Sequence, residues 1–244
     1  MNILPLGVGG AFTNRFFHNN FLFDFDGMPL LIDCGTSLRF SLYEAGMGYE
    51  HIENVFITHC HFDHVGGLSE LVTRRSASDL PTTIYMMQEL YDDVLSVLAP
   101  GLDAQTIEQF CQFKLLHTQQ PHILNGYKLE LLSTTNLHIT GMLSTGLRIT
   151  QPDGTQLLYT SDIKKLTESP FRSAVTRQTK LILQDMSFTP NPVHSTFDEV
   201  LAYYPKEVQR YIVAMHYDDN IEDYREKIEN SPIHLARQHH WIHI

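Results

Sequence analysis

The stretch Val55–Gly67, which reads VFITHCHFDHVGG, decides the fold of this chain. Its apolar beginning predicts a strand over Val55–Thr58, and four potential metal ligands crowd into the next six residues. These four are His59, His61, Asp63 and His64. On a loop, this spacing can point imidazoles and a carboxylate inward around more than one cation, and the donors suit Zn²⁺, Mn²⁺ or iron. Gly66-Gly67 allows a tight turn before the next helix. The alternative to a metal site is that the four residues belong to a histidine-rich surface loop.

Apolar runs of strand length recur along the chain and alternate with helical patterns. Strands are predicted at Ile3–Leu6, Phe21–Phe25, Leu30–Ile32, Val55–Thr58, Ile84–Met87, Leu129–Leu132, Leu147–Ile149, Leu157–Thr160, Leu181–Leu183 and Ile212–Met215. Helices are predicted at Thr36–Ala45, Leu68–Arg75, Gln88–Leu98, Thr106–Phe110, Glu168–Arg177, Thr196–Tyr203 and Ile221–Ile228. Turn signals at Asp26-Gly27 and Pro152–Gly154 predict two hairpins. We therefore expect an α/β chain with sheets inside and helices outside, folded as a single domain over residues 1–244.

The composition excludes several classes of protein. The 244 residues include 17 Lys and Arg against 28 Asp and Glu, and the formal net charge of −11 argues against a groove for large nucleic acids. The three cysteines, Cys34, Cys60 and Cys111, are too widely spaced for a disulfide framework or a Cys-x-x-Cys zinc site. The first residues lack the regions of a signal peptide, and no apolar run is long enough for a membrane span. We expect a soluble protein of the cytoplasm with no membrane partner.

The motif His59-x-His61-x-Asp63-His64 resembles the HxHxDH signature of metallo-β-lactamase-fold hydrolases. The resemblance extends over nearly the whole chain. Leu6–Ala11 resembles the opening strand and glycine turn of the tRNase Z and phosphodiesterase branch, and Leu31–Gly35 resembles the strand ending in Asp-x-Gly that supports the metal loop. The resemblance implies an αββα sandwich, in which two mixed β-sheets are flanked by helices.

The same resemblance implies three further ligands downstream, each at or just beyond a predicted strand end: His138, Asp162 and His216. It also implies two divalent cations, most simply zinc, with manganese or iron as alternatives. In this arrangement one cation is held by His59, His61 and His138, the other is held by Asp63, His64 and His216, and Asp162 bridges both. Each downstream residue also has a purely structural alternative. His138 would be an ordinary strand histidine, Asp162 a helix cap, and His216 a packing partner of Tyr217.

The segment His194-Ser195-Thr196 resembles the His-Ser-Thr motif of the tRNase Z branch. The resemblance implies that His194 stabilises the scissile phosphate or protonates the leaving oxygen, so that His194 and Asp63 are the expected catalytic residues. The alternative is that the segment caps the helix that follows. The tRNase Z pattern also has a carboxylate that orients this histidine. Tyr159 stands where that carboxylate is expected, three residues before Asp162, so the sequence does not identify the orienting residue.

Two cations of this kind can hold a bridging hydroxide that attacks phosphorus or carbon. Only 24 residues separate His138 from Asp162, too few for the basic arm of a tRNA 3′-end endonuclease, so that activity is disfavoured. The length and motifs most resemble cyclic-nucleotide phosphodiesterases of this fold, including the anti-Pycsar proteins of phages. We therefore expect hydrolysis of small phosphodiesters, most simply cyclic nucleotides, in evasion of anti-phage immunity. The alternatives are a carboxylic ester, thioester or lactone hydrolase and, in another class, a metal-free binding module.

Two other features are less specific. The aromatic residues between Phe12 and Phe25 either frame a nucleobase or belong to the core. The helices from Gln88 to Phe110, with Met86 and Met87 beside them, form a lid, a homodimer face or part of the core. From this second feature we expect a homodimer.

Overall fold

The computed structural model describes residues 1–244, and its fourteen strands form two seven-stranded sheets. The first sheet contains β1 Asn2–Gly7, β2 Asn20–Asp24, β3 Pro29–Ile32, β4 Asn54–Ile57, β5 Thr82–Met87, β6 Cys111–Leu116 and β14 Ile242–His243. The second sheet contains β7 His122–Leu124, β8 Tyr127–Ser133, β9 Thr145–Thr150, β10 Gln156–Tyr159, β11 Thr179–Asp185, β12 Ile212–Met215 and β13 His234–Leu235.

Both sheets are mixed, and they follow the same plan. The first has the order β14-β1-β2-β3-β4-β5-β6 and the second the order β13-β12-β11-β10-β9-β8-β7. The pairs among β14, β1, β2 and β3 are antiparallel, whereas β3 to β6 run parallel. The pairs among β7, β8, β9 and β10 are likewise antiparallel, and β10 to β13 run parallel. Each sheet therefore has one edge at which carboxyl ends of parallel strands collect.

The core lies between the two sheets. Tyr159 of the second sheet contacts Phe21 and Phe23 of the first edge-on, with ring centroids 6.0 and 6.4 Å apart. Phe25 and Tyr127 stack across the same interface at 4.5 Å. Buried aromatic pairs of this kind contribute about 0.5–1.5 kcal/mol beyond their area. The apolar residues that the sequence places on strands therefore hold the two sheets together.

The helices flank the sheets. They are α1 Leu38–Glu44, α2 Phe62–Val65, α3 Leu68–Ser76, α4 Tyr91–Leu98, α5 Ala104–Phe110, α6 Phe171–Ala174, α7 Phe197–Tyr203, α8 Lys206–Gln209 and α9 Arg225–Glu229. The helix α3 buries Leu68, Leu71 and Val72, which recur at helical spacing and join the core. Two mixed sheets with flanking helices confirm the α/β class and the αββα sandwich. None of the helices has the length and apolar character that crossing a bilayer would require.

The structure differs from the expected elements in three ways. Two predicted helices are only partly α-helical: Glu168–Arg177 contains the four-residue α6, and Ile221–Ile228 is a 3-10 helix as far as Tyr224, where α9 follows. The sequence does not predict β6, β7, β13 and β14, because β6 exposes Gln112 and Lys114 at the sheet edge and the other three are two or three residues long. The second half of the metal motif, expected as a loop, is the one-turn helix α2, in which the backbone N–H groups of His64 and Val65 donate to the carbonyl of His61. This turn places the side chains of neighbouring motif residues side by side.

Candidate metal centre

The candidate site lies where the parallel strands of both sheets end. Asp33 follows β3 and His59 follows β4, while Asp162 follows β10, Asp185 ends β11 and His216 follows β12. Carboxyl ends of neighbouring parallel strands meet at one edge of a sheet, which is why residues far apart in sequence converge here. All five are buried.

A first group of donors consists of His59, His61, His138 and Asp162, whose ligand atoms lie within 4.8 Å of one another. Nε2 of His59 lies 3.2 Å from Nδ1 of His61 and 3.8 Å from Oδ2 of Asp162. Nε2 of His138 lies 3.6 Å from the same carboxylate oxygen. Three imidazoles and one carboxylate therefore lie close enough together to share a cation.

A second group consists of Asp63, His64, His216 and Asp162, again within 4.8 Å. Nε2 of His64 lies 3.4 Å from Oδ2 of Asp63 and 3.3 Å from Oδ1 of Asp162. Nε2 of His216 lies 3.2 Å from Oδ2 of Asp63 and 3.5 Å from Oδ2 of Asp162. Asp162 belongs to both groups. The structure thus brings together all seven residues singled out in the sequence, and in the two sets expected there.

Two of the rings in these groups are fixed by contacts of the ring nitrogen Nδ1, which points away from the other donors. Nδ1 of His64 lies 2.8 Å from Oδ2 of Asp33, the aspartate of the Asp-x-Gly strand end. Nδ1 of His138 donates to the backbone carbonyl of Val193 over 2.7 Å. Such contacts select the tautomer whose other nitrogen points into the site, as in metal-binding histidines generally.

The backbone around the site is strained at three residues and tightly packed at two glycines. Asp33 has φ 64°, Ser161 has φ 55° and His216 has φ 59°, in the left-handed region that costs residues other than glycine about 1–3 kcal/mol. A Cβ on Gly35 would lie 2.0 Å from the carbonyl oxygen of Asp63, and one on Gly67 would lie 2.5 Å from the carbonyl oxygen of Gly35. Glycine is therefore required where the metal motif packs against the end of β3, as the resemblance implies for this segment.

Asp185 orients His194. Nδ1 of His194 lies 2.9 Å from Oδ2 of Asp185, and the same oxygen accepts the backbone N–H of Ile163. Oδ1 of Asp185 lies 3.5 Å from Nδ1 of His216. The sequence left the orienting carboxylate open, because Tyr159 stands at the position where the pattern has it; in the structure the contact comes from Asp185, and the hydroxyl of Tyr159 accepts a hydrogen bond from the Asn19 amide. Asp185 ends β11, the strand between β10 and β12, which precede Asp162 and His216. An acidic residue at the end of the apolar run between those two strands is the signal that would have found it.

Burial lowers the pKa of the His194 ring, but the charges of Asp185 and Asp162 outweigh burial and raise that pKa to about 9. Ser195 and Thr196 have structural roles. The hydroxyl of Ser195 donates to the carbonyl of Ile163, and Thr196 caps α7 in a capping box with Glu199. The capping alternative for this segment thus applies to Thr196, while His194 turns toward the donor groups.

The donors suit a divalent cation. Three buried atoms that face the two groups, Oδ1 of Asp63, Nε2 of His64 and Oδ1 of Asp162, have no hydrogen-bond partner, which is rare for buried polar atoms and ordinary for metal ligands. Burial lowers the pKa of His59 well below its usual value, which keeps the ring in the neutral form that binds metals. Burial would raise the pKa of Asp162, but the positive charges of the His216 and His64 rings outweigh burial and hold that pKa well below the usual range. Burial would lower the pKa of those two rings, but the aspartates in turn raise it, so a bound cation would replace their protons.

The structure separates core residues from exposed ones among the aromatic residues between Phe12 and Phe25, and it places Met86 and Met87 in the core. Phe21, Phe23 and Phe25 are fully buried and belong to the core, whereas Phe12 is 86% exposed. Met86 and Met87 are buried in β5, so they are not part of a lid or an exposed face.

The fold and the site together define the class: this is a metallo-β-lactamase-fold protein. A solved metallo-β-lactamase fold protein, YhfI of Bacillus subtilis, superposes with a TM-score of 0.76 at 16% identity over 99% of this chain and 98% of its own. Unliganded yeast PDE1 superposes with a TM-score of 0.75 at 14% identity over 100% and 99% of the two chains. The short form of human tRNase Z gives 0.68 at 18% identity over 100% and 99%.

Within this class, the chain belongs to the anti-Pycsar protein Apyc1 family, whose model matches residues 1–242. An anti-Pycsar protein Apyc1 of Paenibacillus sp. (strain J14) is 33% identical over 98% of this chain and 97% of its own. The protein of that name from Saccharibacillus brassicae is 32% identical over 92% and 93%, and that of Bacillus phage BSP38 is 29% identical over 91% of each. Family and donor set identify the chain as a metal-dependent hydrolase, which confirms the class of enzyme expected from the sequence.

Proposed function

We propose that the chain is a dinuclear metal-dependent phosphodiesterase that hydrolyses cyclic nucleotides. The observation that carries this proposal is the pair of donor groups that share Asp162, with His194 placed beside both. A site of this kind has the means to bind both oxygens of a phosphoryl displacement, and the nearby imidazole has the means to act on the leaving group.

In this proposal the cations are divided between the two donor groups. His59, His61 and His138 hold one cation, Asp63, His64 and His216 hold the other, and Asp162 binds both. When bound, the cations supply Lewis-acid charge for the phosphoryl oxygens and an activated water at neutral pH. Zinc is the metal we propose, because imidazole and carboxylate donors favour it, with manganese or iron as alternatives.

His194 protonates the leaving oxygen. Asp185 accepts the Nδ1 hydrogen of His194, so that Nε2 carries the proton available to the substrate. Asp162 lies 4.0 Å from the same ring and adds a second negative charge that stabilises its protonated form. Asp63, the other expected catalytic residue, acts as a ligand beside His216, whose Nε2 lies 3.2 Å from Oδ2 of Asp63.

The substrate we propose is small and anionic. Between His138 and Asp162 the chain forms only the hairpin of β9 and β10, without an arm for gripping RNA, and the net charge of −11 disfavours a large polyanion. The name anti-Pycsar of the relatives, some of them from phages, supports a cyclic-nucleotide signal as the substrate and immune evasion as the purpose. Such a role belongs in the cytoplasm, and for a phage-encoded protein in that of the host.

A substrate panel tests the proposal. The metal-loaded protein is assayed against cyclic mononucleotides, bis-p-nitrophenyl phosphate, lactones and thioesters, with product linkage read by chromatography and metal content by mass spectrometry. We expect cyclic nucleotides to be opened, two metal ions per chain, and no turnover in a His61→Ala variant. Turnover of lactones or thioesters without phosphodiesterase activity would overturn the proposal in favour of the ester-hydrolase alternative.

We also propose a homodimer. An apolar groove of about 700 Å³ lies between α4 and α5, and its wall includes Leu95, Leu102, Ile107 and Phe113. Burial of such a groove against a second copy would remove apolar surface from water. Light scattering after size-exclusion chromatography tests this, and a monomer at micromolar concentration would contradict it.

A further inference from the structure

We propose that Phe12 and Phe62 form an aromatic wall at the mouth of the candidate metal centre, against which the nucleobase of the substrate stacks. This inference rests on the proposed function and specifies the part of the substrate that the two donor groups do not contact. It makes Phe12 a positioning residue for the base and gives the site a preference for phosphodiesters that carry one.

The two rings are exposed, close together and unlike the other aromatic residues nearby. The Phe12 side chain is 86% exposed and that of Phe62 is 49% exposed, with ring centroids 6.0 Å apart and planes inclined by 48°. Phe16, only four residues on, packs edge-on against Tyr217 instead. A single exposed phenylalanine needs no explanation, but two that share a patch next to a catalytic site indicate an apolar contact surface.

The wall adjoins both donor groups. Phe62 lies between His61 and Asp63 in the chain, one from each group. Phe12 lies two residues after Gly10, and a Cβ on Gly10 would be 3.3 Å from the ring of His216. In this proposal, the base of a phosphodiester held by the donors reaches the wall through these adjoining segments.

Hydrogen bonds anchor the segment that carries Phe12. The carboxylate of Asp219 accepts the backbone N–H groups of Asn14 and Arg15 over 2.8 and 3.0 Å. The hydroxyl of Thr13 donates to the carbonyl of Gly10 over 3.0 Å. An exposed ring on an anchored segment loses little conformational freedom when a ligand stacks on it, so more of the contact contributes to binding.

A nucleobase is the occupant that fits. Its flat π-face stacks on aromatic side chains, and alanine substitution of such a platform weakens binding by about 5- to 100-fold. The phosphodiester is negatively charged and belongs with the donor groups, whereas the wall itself offers no charged group. Stacking depends little on the identity of the base, so we expect purines and pyrimidines both to use it.

The test compares two substrates that differ only in the base. A 3′,5′-cyclic nucleotide and the corresponding abasic 3′,5′-cyclic ribose phosphate are assayed with the metal-loaded protein and with Phe12→Ala. We expect the ratio of kcat/KM for the two substrates to fall by about 5- to 100-fold, mostly through KM, and Phe12→Tyr to restore it. Phe40→Ala is the matched control, because Phe40 is 53% exposed on α1 and lies outside the wall.

A fluorescence readout does not depend on turnover. Trp241 is the single tryptophan, so the double variant Phe12→Trp, Trp241→Phe carries one reporter in the wall. We expect its emission to be quenched by the cyclic nucleotide and not by the abasic compound. Quenching without any hydrolysis of cyclic nucleotides would support the wall and contradict the proposed function.

Three outcomes would overturn the wall. The first is an unchanged substrate ratio in Phe12→Ala with no quenching in the reporter variant. The second is an equal loss for both substrates, which would mean that Phe12 only supports its own loop. The third is dissociation of an oligomer in Phe12→Ala, which would assign Phe12 to a contact between copies.

Discussion

Asp162 is the residue through which the two donor groups meet. Its Oδ1 lies 3.3 Å from His64, and its Oδ2 lies 3.6 Å from His138 and 3.5 Å from His216. A carboxylate offers two oxygens in fixed geometry, and no neutral residue of similar size can serve two cations in this way. Asp162 therefore decides whether the site is one centre or two separate ones.

We expect Asp162→Ala to abolish turnover and to reduce the metal content below two ions per chain. The physical reason is that both groups lose a negatively charged donor at once. Metal analysis and phosphodiesterase assays measure the two effects, and Asp153→Ala, which removes an exposed aspartate from the turn of the β9–β10 hairpin, is the control. Retention of two ions and of activity in Asp162→Ala would exclude it as the bridge.

His194 and Asp185 act as a pair, and two variants separate their roles. We expect His194→Ala to keep its metal and to lose about 10²–10⁴ in kcat, the range for a general acid. Asp185→Asn should lose a similar factor because the ring adopts the wrong tautomer, and should also weaken metal binding by about 10–100-fold through its contact with His216.

The leaving group distinguishes this acid role from a structural one. Both variants should lose much less with p-nitrophenyl phosphodiesters, because p-nitrophenolate departs without a proton. Metal titrations and kcat values for alkyl and p-nitrophenyl substrates provide the readouts. An equal loss for both leaving groups would remove proton donation from the role of His194, and metal loss in His194→Ala would make it a ligand.

At the scale of elements, the metal motif is positioned by the contact between the start of α3 and the end of β3. The backbone N–H of Gly67 donates to the carbonyl of Cys34, and the N–H of Cys34 donates to the carbonyl of His64. The sequence signalled this contact through glycines at both ends. It did not signal that Phe62–Val65 is helical, because a four-residue turn has too few positions for a periodic pattern.

We expect Gly67→Ala to destabilise the fold by about 1–3 kcal/mol and to weaken metal binding, because the new methyl group would meet the carbonyl oxygen of Gly35 at 2.5 Å. Urea unfolding and metal titration measure the two effects. Gly101→Ala is the control, since its nearest contact is Cβ of Ser69 at an ordinary 3.5 Å, and its effect should stay within about 0.5 kcal/mol. Equal effects of the two substitutions would contradict the tight contact.

At the scale of the whole molecule, the sequence predicted the individual strands better than the order in which they lie side by side in the sheets. Ten strands followed from apolar runs. Four of the seven candidate donor residues followed from the motif His59–His64, and the family resemblance implied the other three. The pairing of Asp185 with His194 did not follow from the sequence, because it depends on β10, β11 and β12 lying side by side in parallel, which no local pattern records. The same holds for β13 and β14, whose two residues are strands only because β12 and β1 offer them a partner.

The contacts of Tyr159 with Phe21 and Phe23 make the two sheets share one core, and the donor groups draw on both sheets. We therefore expect the single domain predicted for residues 1–244 to unfold in one cooperative transition, with Trp241 fluorescence and far-UV circular dichroism giving coincident curves. Removal of metal by a chelator should lower Tm by about 5–10 °C, if the free metal stood at about 100-fold its Kd. Asp162→Ala, which should hold fewer ions, should have a Tm that the chelator lowers by less. Two separate transitions would instead mean that the sheets fold as independent units.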